Sequence, residues 1–206
     1  MIFVSINPFA LKRFFLFFLA AIGLSCISCY GQSILLSVQS TPYDKQMTRI
    51  RPFLTTEQRS SRFTLSLRIV NHWIWDLRSI PYGFTREWKT PAETESGTPA
   101  DCKAKAIALY ERMQSNGASN LRLVIGKHTL NSRSTHAWLE WETEEGSYVL
   151  DPTLNWQAYR VSDLDRHSYI PFYAFAGTKK YRAAQSALLA AETTGRIVSP
   201  ASATGN

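Results

Sequence analysis

The chain has 206 residues, of which 45% are hydrophobic, and this is enough to bury one medium-sized core. Its 23 lysines and arginines outnumber the 16 aspartates and glutamates, which gives a formal net charge of +7. Because the basic residues are scattered among acidic ones and do not alternate with aromatic residues, the composition argues against a nucleic-acid-binding protein. We expect one globular domain that is monomeric and has no nucleic-acid partner.

The N-terminal segment has the pattern of a secretory signal. Two basic residues precede the apolar run FFLFFLAAIGLSC, which is too short to indicate a membrane span and is followed by small and polar residues. Cleavage after Gly31 would make residues 1–31 a signal peptide and would leave no integral membrane span. Lipidation at Cys26 or Cys29 is the alternative, because a serine precedes each of them. Either way, we expect an exported protein of the periplasm or the extracellular space.

Export changes the meaning of the three cysteines. The C-x-x-C pair formed by Cys26 and Cys29 lies inside the predicted signal, so we do not interpret it as a redox or metal motif. Cys102 would then be the single cysteine of the processed chain and could form no internal disulfide. An unpaired thiol in an exported protein is a candidate nucleophile, and the alternative is a small buried hydrophobic residue.

Two helices are predicted in the first half of the domain. The first begins near Thr55, where Gln58 could complete a capping box, and it is followed by a loop with the sequence IPYGFTREWKTP. Its apolar face repeats at alternating spacings of four and three residues: Phe63, Leu67, Val70, Ile74 and Leu77. The second helix covers KAKAIALYERMQSNG and ends at Gly117. Asp101 can cap this second helix, which places Cys102 in its first turn.

From residue 120 onward the apolar pattern changes from helical to strand-like. Strands are predicted at residues 120–126, 136–143, 147–153 and 169–177. The second and third of these form a hairpin that closes around residues 144–146. The alanine-rich stretch 179–192 is predicted to be helical, the domain to span residues 33–190, and residues 191–206 to form a flexible tail.

Three residues along this path have the chemistry of a nucleophilic site. A cysteine attacks as the thiolate, which the first turn of a helix stabilises through its dipole and its unpaired N–H groups. His136 begins one strand of the predicted hairpin and Asp151 follows the other, so their side chains can meet across the ladder. The arrangement predicts a triad of Cys102, His136 and Asp151. The alternatives are a surface histidine and an ordinary turn-forming aspartate before Pro152.

Other chemistries find little support in the sequence. His72, His128 and His167 have no metal-ligand spacing, and no H-E-x-x-H motif occurs. A glycine-rich phosphate loop and a G-x-S-x-G serine elbow are also missing. We therefore expect no bound cofactor and no catalytic metal.

Five short motifs together resemble the bacterial transglutaminase-like cysteine proteinases. They are WKTPAE at 88–93, DCKAKAIALY at 101–110, LRLVIG at 121–126, HAWLEW at 136–141 and YVLDPT at 148–153. The resemblance implies an α+β, papain-like fold in which the cysteine helix packs against an antiparallel sheet. It also implies that Cys102 is the nucleophile, His136 the general base and acid, and Asp151 the carboxylate that orients the histidine.

The chain departs from this family beside the cysteine. Periplasmic relatives have acidic residues there that bind calcium, whereas this chain has Lys103 and Lys105. Calcium is therefore doubtful, and neither Trp88 nor Glu93 can be given a role from sequence. We expect a thiol peptidase or amidase acting on a protein or peptide. The alternatives are a transglutaminase, which uses an amine in place of water, and a binding module without catalysis.

Overall fold

The computed structural model describes residues 34–55 and 65–184. All of them belong to the compact unit Ser33–Asn206. The predicted signal peptide, the predicted tail and the predicted capping residue Gln58 lie outside the described residues. Within the described ranges, no helix is both long and apolar enough to cross a lipid bilayer.

The described strands form one sheet in which every paired neighbour is antiparallel. The spatial order of its seven strands is β1-β7-β6-β2-β3-β4-β5. The bounds are β1 Leu35–Ser37, β2 Leu121–Thr129, β3 His136–Thr143, β4 Gly146–Leu150, β5 Tyr159–Arg160, β6 Ser168–Ala176 and β7 Lys179–Ala183. The long central strands β2, β3 and β6 therefore lie in the middle, where both edges of each strand find partners.

One central helix packs against this sheet. The helices are α1 Arg51–Thr55, α2 Leu67–Ser79, α3 Pro91–Thr94 and α4 Cys102–Ser115, and a short 3₁₀ turn covers Val161–Asp163. Helix α4 contacts β2 and β3 on one side and the other three helices elsewhere. Its alanines allow this close packing, and Ala104, Ala106 and Ala108 are fully buried. The predicted α+β class, with the cysteine helix on an antiparallel sheet, is confirmed.

The first predicted helix forms over a shorter range than expected. Val70, Ile74 and Leu77 of α2 are buried, as their spacing predicted. The predicted start at Thr55 is wrong, because Thr55 ends α1 and Ser66 is the residue that precedes α2. Pro52 explains the separate short helix, since proline is tolerated in a first turn where its missing N–H costs no hydrogen bond.

The prediction for the end of the domain also needs correction. Residues 179–192 were expected to be helical, but Lys179–Ala183 forms β7 and pairs with β6, while residues 185–192 lie outside the described residues. A two-residue loop joins these strands between Ala176 and Lys179, and its first residue, Gly177, has a φ of 58°. Glycine adopts this left-handed conformation without strain, so it forms the tight turn.

Candidate active site

Helix α4 begins at the candidate nucleophile. The N-cap Asp101 accepts a hydrogen bond from the backbone N–H of Ala104 at 3.1 Å, as the sequence predicted for a capping aspartate. The thiol of Cys102 follows at once and is half-buried. It lies at the positive end of the helix dipole, where the first N–H groups of the helix have no partner within the helix.

The β3–β4 hairpin brings the other two predicted residues together. Leu139 pairs with Leu150, so His136 and Asp151 lie diagonally across the end of the ladder. His136 Nε2 is 2.7 Å from Asp151 Oδ2, and Asp151 is fully buried. The predicted β3–β4 hairpin thus brings the imidazole of His136 into direct contact with the carboxylate of Asp151.

Cys102 completes the chain of contacts. Its side chain lines the same cleft as His136 and interacts electrostatically with the imidazole. Because Asp151 occupies Nε2, the ring nitrogen left for the thiol is Nδ1. The structure therefore places the three predicted residues in the order thiol, imidazole, carboxylate.

The electrostatics of the pair favour a charged imidazole. Burial alone would lower the pKa of His136, but hydrogen bonds with Asp151 and Cys102 and the charges of both groups raise it to about 9. Burial would raise the pKa of Asp151, but the hydrogen bond and positive charge of His136 lower it overall. An imidazolium beside a carboxylate at neutral pH is the state that stabilises a neighbouring thiolate.

The carboxylate of Asp151 is fixed by four hydrogen bonds. Oδ1 accepts from the backbone N–H groups of Thr153 and Leu154, at 2.9 and 3.1 Å. Oδ2 accepts from the Tyr169 hydroxyl at 3.0 Å as well as lying against His136. The Tyr169 hydroxyl in turn accepts from Asn155 Nδ2 at 2.9 Å. These contacts leave the carboxylate one orientation.

Sequence analysis did not find Tyr169 or its partner Asn155. Tyr169 has a φ of 52°, unusual for a non-glycine residue, and it lies just before a bulge in β6 where Phe172 is the additional residue. The one signal in the sequence was Pro171 inside an apolar strand, which marks irregular pairing. A proline at this position indicates a bulge, but it does not identify Tyr169 as the side chain that lies beside Asp151.

Of the three histidines without metal spacing, His128 lies at the site. Its ring centroid is 4.9 Å from that of Tyr169 and 6.1 Å from that of His136. Burial, followed by the positive charge of His136, lowers the pKa of His128. A neutral second ring therefore packs beside the charged imidazole.

Two residues of the WKTPAE motif, Trp88 and Glu93, had no predicted role, and the structure shows the contacts that each of them makes. Trp88 is buried and contacts the ring of Tyr43 edge to face. Glu93 accepts from the backbone N–H of Thr90 in a capping box and pairs with Arg49 at 2.7 Å. Trp88 also belongs to the lining of the cleft that contains Cys102.

The oxygen atoms around Asp101 do not fit a calcium ion. Oδ1 caps α4, while Oδ2 accepts from the backbone N–H of Thr85 and from the ammonium of Lys103. The same ammonium donates to the carbonyl oxygen of Thr85. Across residues 34–55 and 65–184, no group of three or more His, Cys, Asp or Glu side chains could hold a metal ion. The chain's own cation occupies the position beside this carboxylate.

A cleft of about 500 Å³ opens beside Cys102 and His136. Its lining includes Tyr82, Phe84 and Arg86 from the loop before Cys102, and residues 134 and 135 just before β3. A larger molecule can thus reach the thiol from solvent while Asp151 stays buried.

Comparison with solved structures returned LapG of Legionella pneumophila. The calcium-bound form matches with a TM-score of 0.49 and 18% identity, over 77% of this chain and 93% of that one. The EGTA-treated form has a TM-score of 0.49 and 18% identity, over 71% and 80%. A third LapG structure has a TM-score of 0.47 and 18% identity, over 77% and 91%.

The sequence identity is 18% in all three cases, so the comparison assigns no activity to this chain. The likeness is one of fold. No protein-family model matches the sequence, and no curated protein is significantly similar to it.

Proposed function

We propose that this chain is a thiol hydrolase of peptide or amide bonds, a transglutaminase-like cysteine peptidase with Cys102, His136 and Asp151 as its triad. The observation that carries the proposal is that Cys102 and His136 line one cleft while His136 Nε2 lies 2.7 Å from Oδ2 of the fully buried Asp151. Because the pKa of His136 is raised to about 9, the imidazole is charged at neutral pH, and it can give a proton to a leaving group.

The reaction follows from this geometry. The thiolate of Cys102 attacks the carbonyl carbon, and backbone N–H groups at the start of α4 would stabilise the oxyanion. His136 gives its proton to the leaving amine as the C–N bond breaks, which leaves a thioester on Cys102. His136 then takes a proton from water, whose oxygen attacks the thioester and releases the acid and the thiolate. Asp151 holds the imidazole in one orientation throughout.

The setting of this activity is part of the proposal. Residues 1–31 would direct export to the periplasm or the extracellular space, and residues 33–190 would form the peptidase domain. The apolar run after two basic residues supports the signal, and the strand β1 at Leu35–Ser37 supports a domain that begins shortly after it. Protein or peptide chains are the substrates that such a site would take.

The test is the rate of iodoacetamide alkylation at Cys102 against pH, read by mass spectrometry of the peptide that contains it. We expect fast alkylation well below pH 8 in the wild type and its loss in a His136→Ala variant. Reading a single peptide keeps Cys26 and Cys29 from contributing. If the rate rises only near pH 8.5 in both proteins, the thiol is ordinary and the chain is a binding module.

Hydrolysis and acyl transfer are separated by a second assay on the same protein. Casein is incubated with and without a fluorescent primary amine, and both fragments and labelled casein are followed. Fragments without label indicate a peptidase, whereas labelled casein indicates a transglutaminase. Cys102→Ala is the control for both products.

A further inference from the structure

We propose that the cleft beside Cys102 selects an acidic, extended segment of polypeptide that also carries an apolar side chain. The inference rests on the proposed function, because it names the substrate class of the same site. It is carried by the charges and the aromatic side chains that line the cleft.

The ionisable side chains of the cleft leave a positive charge without a partner. Its lining contains the carboxylate of Asp101, but this group is buried and is bound by Lys103. Arg86 lines the same cleft and is exposed, and among the described residues no carboxylate lies within ion-pair distance of it. Glu87, its neighbour in sequence, pairs with Arg49 instead. The guanidinium of Arg86 is therefore available to a ligand.

A second unpaired arginine lies next in sequence to the lining of the cleft. Arg133 is exposed and directly precedes residues 134 and 135 of the lining, and within residues 34–55 and 65–184 it too has no ion-pair partner. A peptide that enters the cleft meets the positive charge of Arg86. Acidic side chains on the peptide would raise its affinity for the cleft, whereas lysine or arginine side chains would lower it.

Two aromatic side chains beside Arg86 supply the apolar part. Tyr82 and Phe84 are 59% and 74% exposed, although large apolar groups are normally covered. Lys103 lies over the Phe84 ring at 5.2 Å, which fixes the ring beside the nucleophile.

The order of these side chains suggests how a substrate lies. Tyr82, Phe84 and Arg86 are each two residues apart and line one wall. In an extended peptide, side chains on one face also repeat every second residue, at intervals of about 6.8 Å. An apolar and an acidic residue at alternate positions of the substrate would match this wall.

The experiment measures binding rather than cleavage, so it does not depend on turnover. Three fluorescein-labelled peptides of one sequence carry Asp, Asn or Lys two positions from a Phe, and their affinity for the Cys102→Ala variant is measured by fluorescence anisotropy at low and physiological salt. We expect the Asp peptide to bind at least tenfold tighter than the Lys peptide, with the difference shrinking as salt is added.

Adding Arg86→Glu to the Cys102→Ala variant should remove or reverse this preference. The matched control is Arg182→Glu, which makes the same charge change at an exposed position on β7, and it should leave the preference intact. Adding Phe84→Ser should weaken the binding of all three peptides to a similar extent, because each peptide carries the same Phe.

Equal affinity for the three peptides, or an equal effect of Arg86→Glu and Arg182→Glu, would overturn the inference. A clear preference for the Asp peptide together with no cleavage by the wild type would instead overturn the proposed function and leave the acidic binding site standing.

Discussion

At the scale of single residues, Tyr169 has the clearest consequence for the site. Its hydroxyl shares Asp151 Oδ2 with His136 and is itself held by Asn155. Burial and the negative charge of Asp151 raise the pKa of Tyr169, so the hydroxyl stays a donor at every pH at which the protein would act.

Tyr169→Phe should remove this hydrogen bond while keeping the ring. We expect the unfolding free energy to fall by about 2 kcal/mol, since the bond is made to a buried charged group. With its competing donor gone, Oδ2 would interact with His136 alone, so the pKa of His136 should rise and the alkylation profile of Cys102 should shift with it. A destabilised variant with an unshifted profile would make Tyr169 a packing residue. Tyr159→Phe, at an exposed tyrosine, is the control.

Lys103 gives a second prediction at this scale. Because its ammonium already pairs with Asp101, removing calcium with excess EGTA should change neither the alkylation rate of Cys102 nor the melting temperature. Lys103→Met should lower the melting temperature, since it leaves a buried carboxylate without its cation. A wild-type protein that loses reactivity in EGTA and regains it with calcium would contradict this expectation.

At the scale of elements, a buried lysine of α4 completes the end of α2. Lys105 is 1% exposed, and its ammonium donates to the carbonyl oxygens of Ile80 at 2.6 Å and Arg78 at 3.4 Å. These carbonyls belong to the last turn and the C-cap of α2, which cannot be satisfied within the helix. The lysine that sequence analysis counted against calcium therefore joins the two helices.

Lys105→Met should keep the volume of the side chain and lose the capping hydrogen bonds. We expect a loss of about 1–3 kcal/mol in the unfolding free energy, because buried carbonyl oxygens are left without a donor. Urea denaturation measures this directly. Lys45→Met, at an exposed lysine, should change stability by less than about 0.5 kcal/mol, and an equally small effect of Lys105→Met would refute the capping role.

The elements differ in how far sequence predicted them. The β3–β4 hairpin was predictable because alternating apolar residues flank a short polar turn, and its register then placed His136 near Asp151. The strand β7 was missed because the alanines that follow it favour a helix, while pairing with β6 outweighs that local preference. Tyr169 could not be found, since its position depends on a bulge between strands distant in sequence.

At the scale of the whole molecule, the His136–Asp151 pair makes stability depend on pH. The pKa of His136 rises from 6.5 to about 9 on folding, so its contribution is complete below pH 6.5 and is lost as the pH rises through 9. The pKa of Asp151 falls below 3.8, so its contribution is complete above that value and is lost on further acidification. Both contributions are present between about pH 4 and 6.5.

The difference in unfolding free energy between the wild type and His136→Ala should therefore shrink by about 3 kcal/mol from pH 6.5 to above pH 9. Urea denaturation of both proteins across this range measures it. The part of this difference that does not change with pH measures the packing lost with the side chain. The part that changes with pH measures the contribution of the charge on His136. Parallel curves for the two proteins would mean that the histidine is neutral in the folded protein.

The two-residue turn between β3 and β4 carries one more implication. A strand that pairs one position out of step turns every side chain to the opposite face, so a misregistered hairpin would point His136 away from Asp151. The thiol, moreover, lies on a helix distant in sequence from both. The three side chains would consequently meet only in a correctly folded chain, and no short segment of it could assemble the site alone.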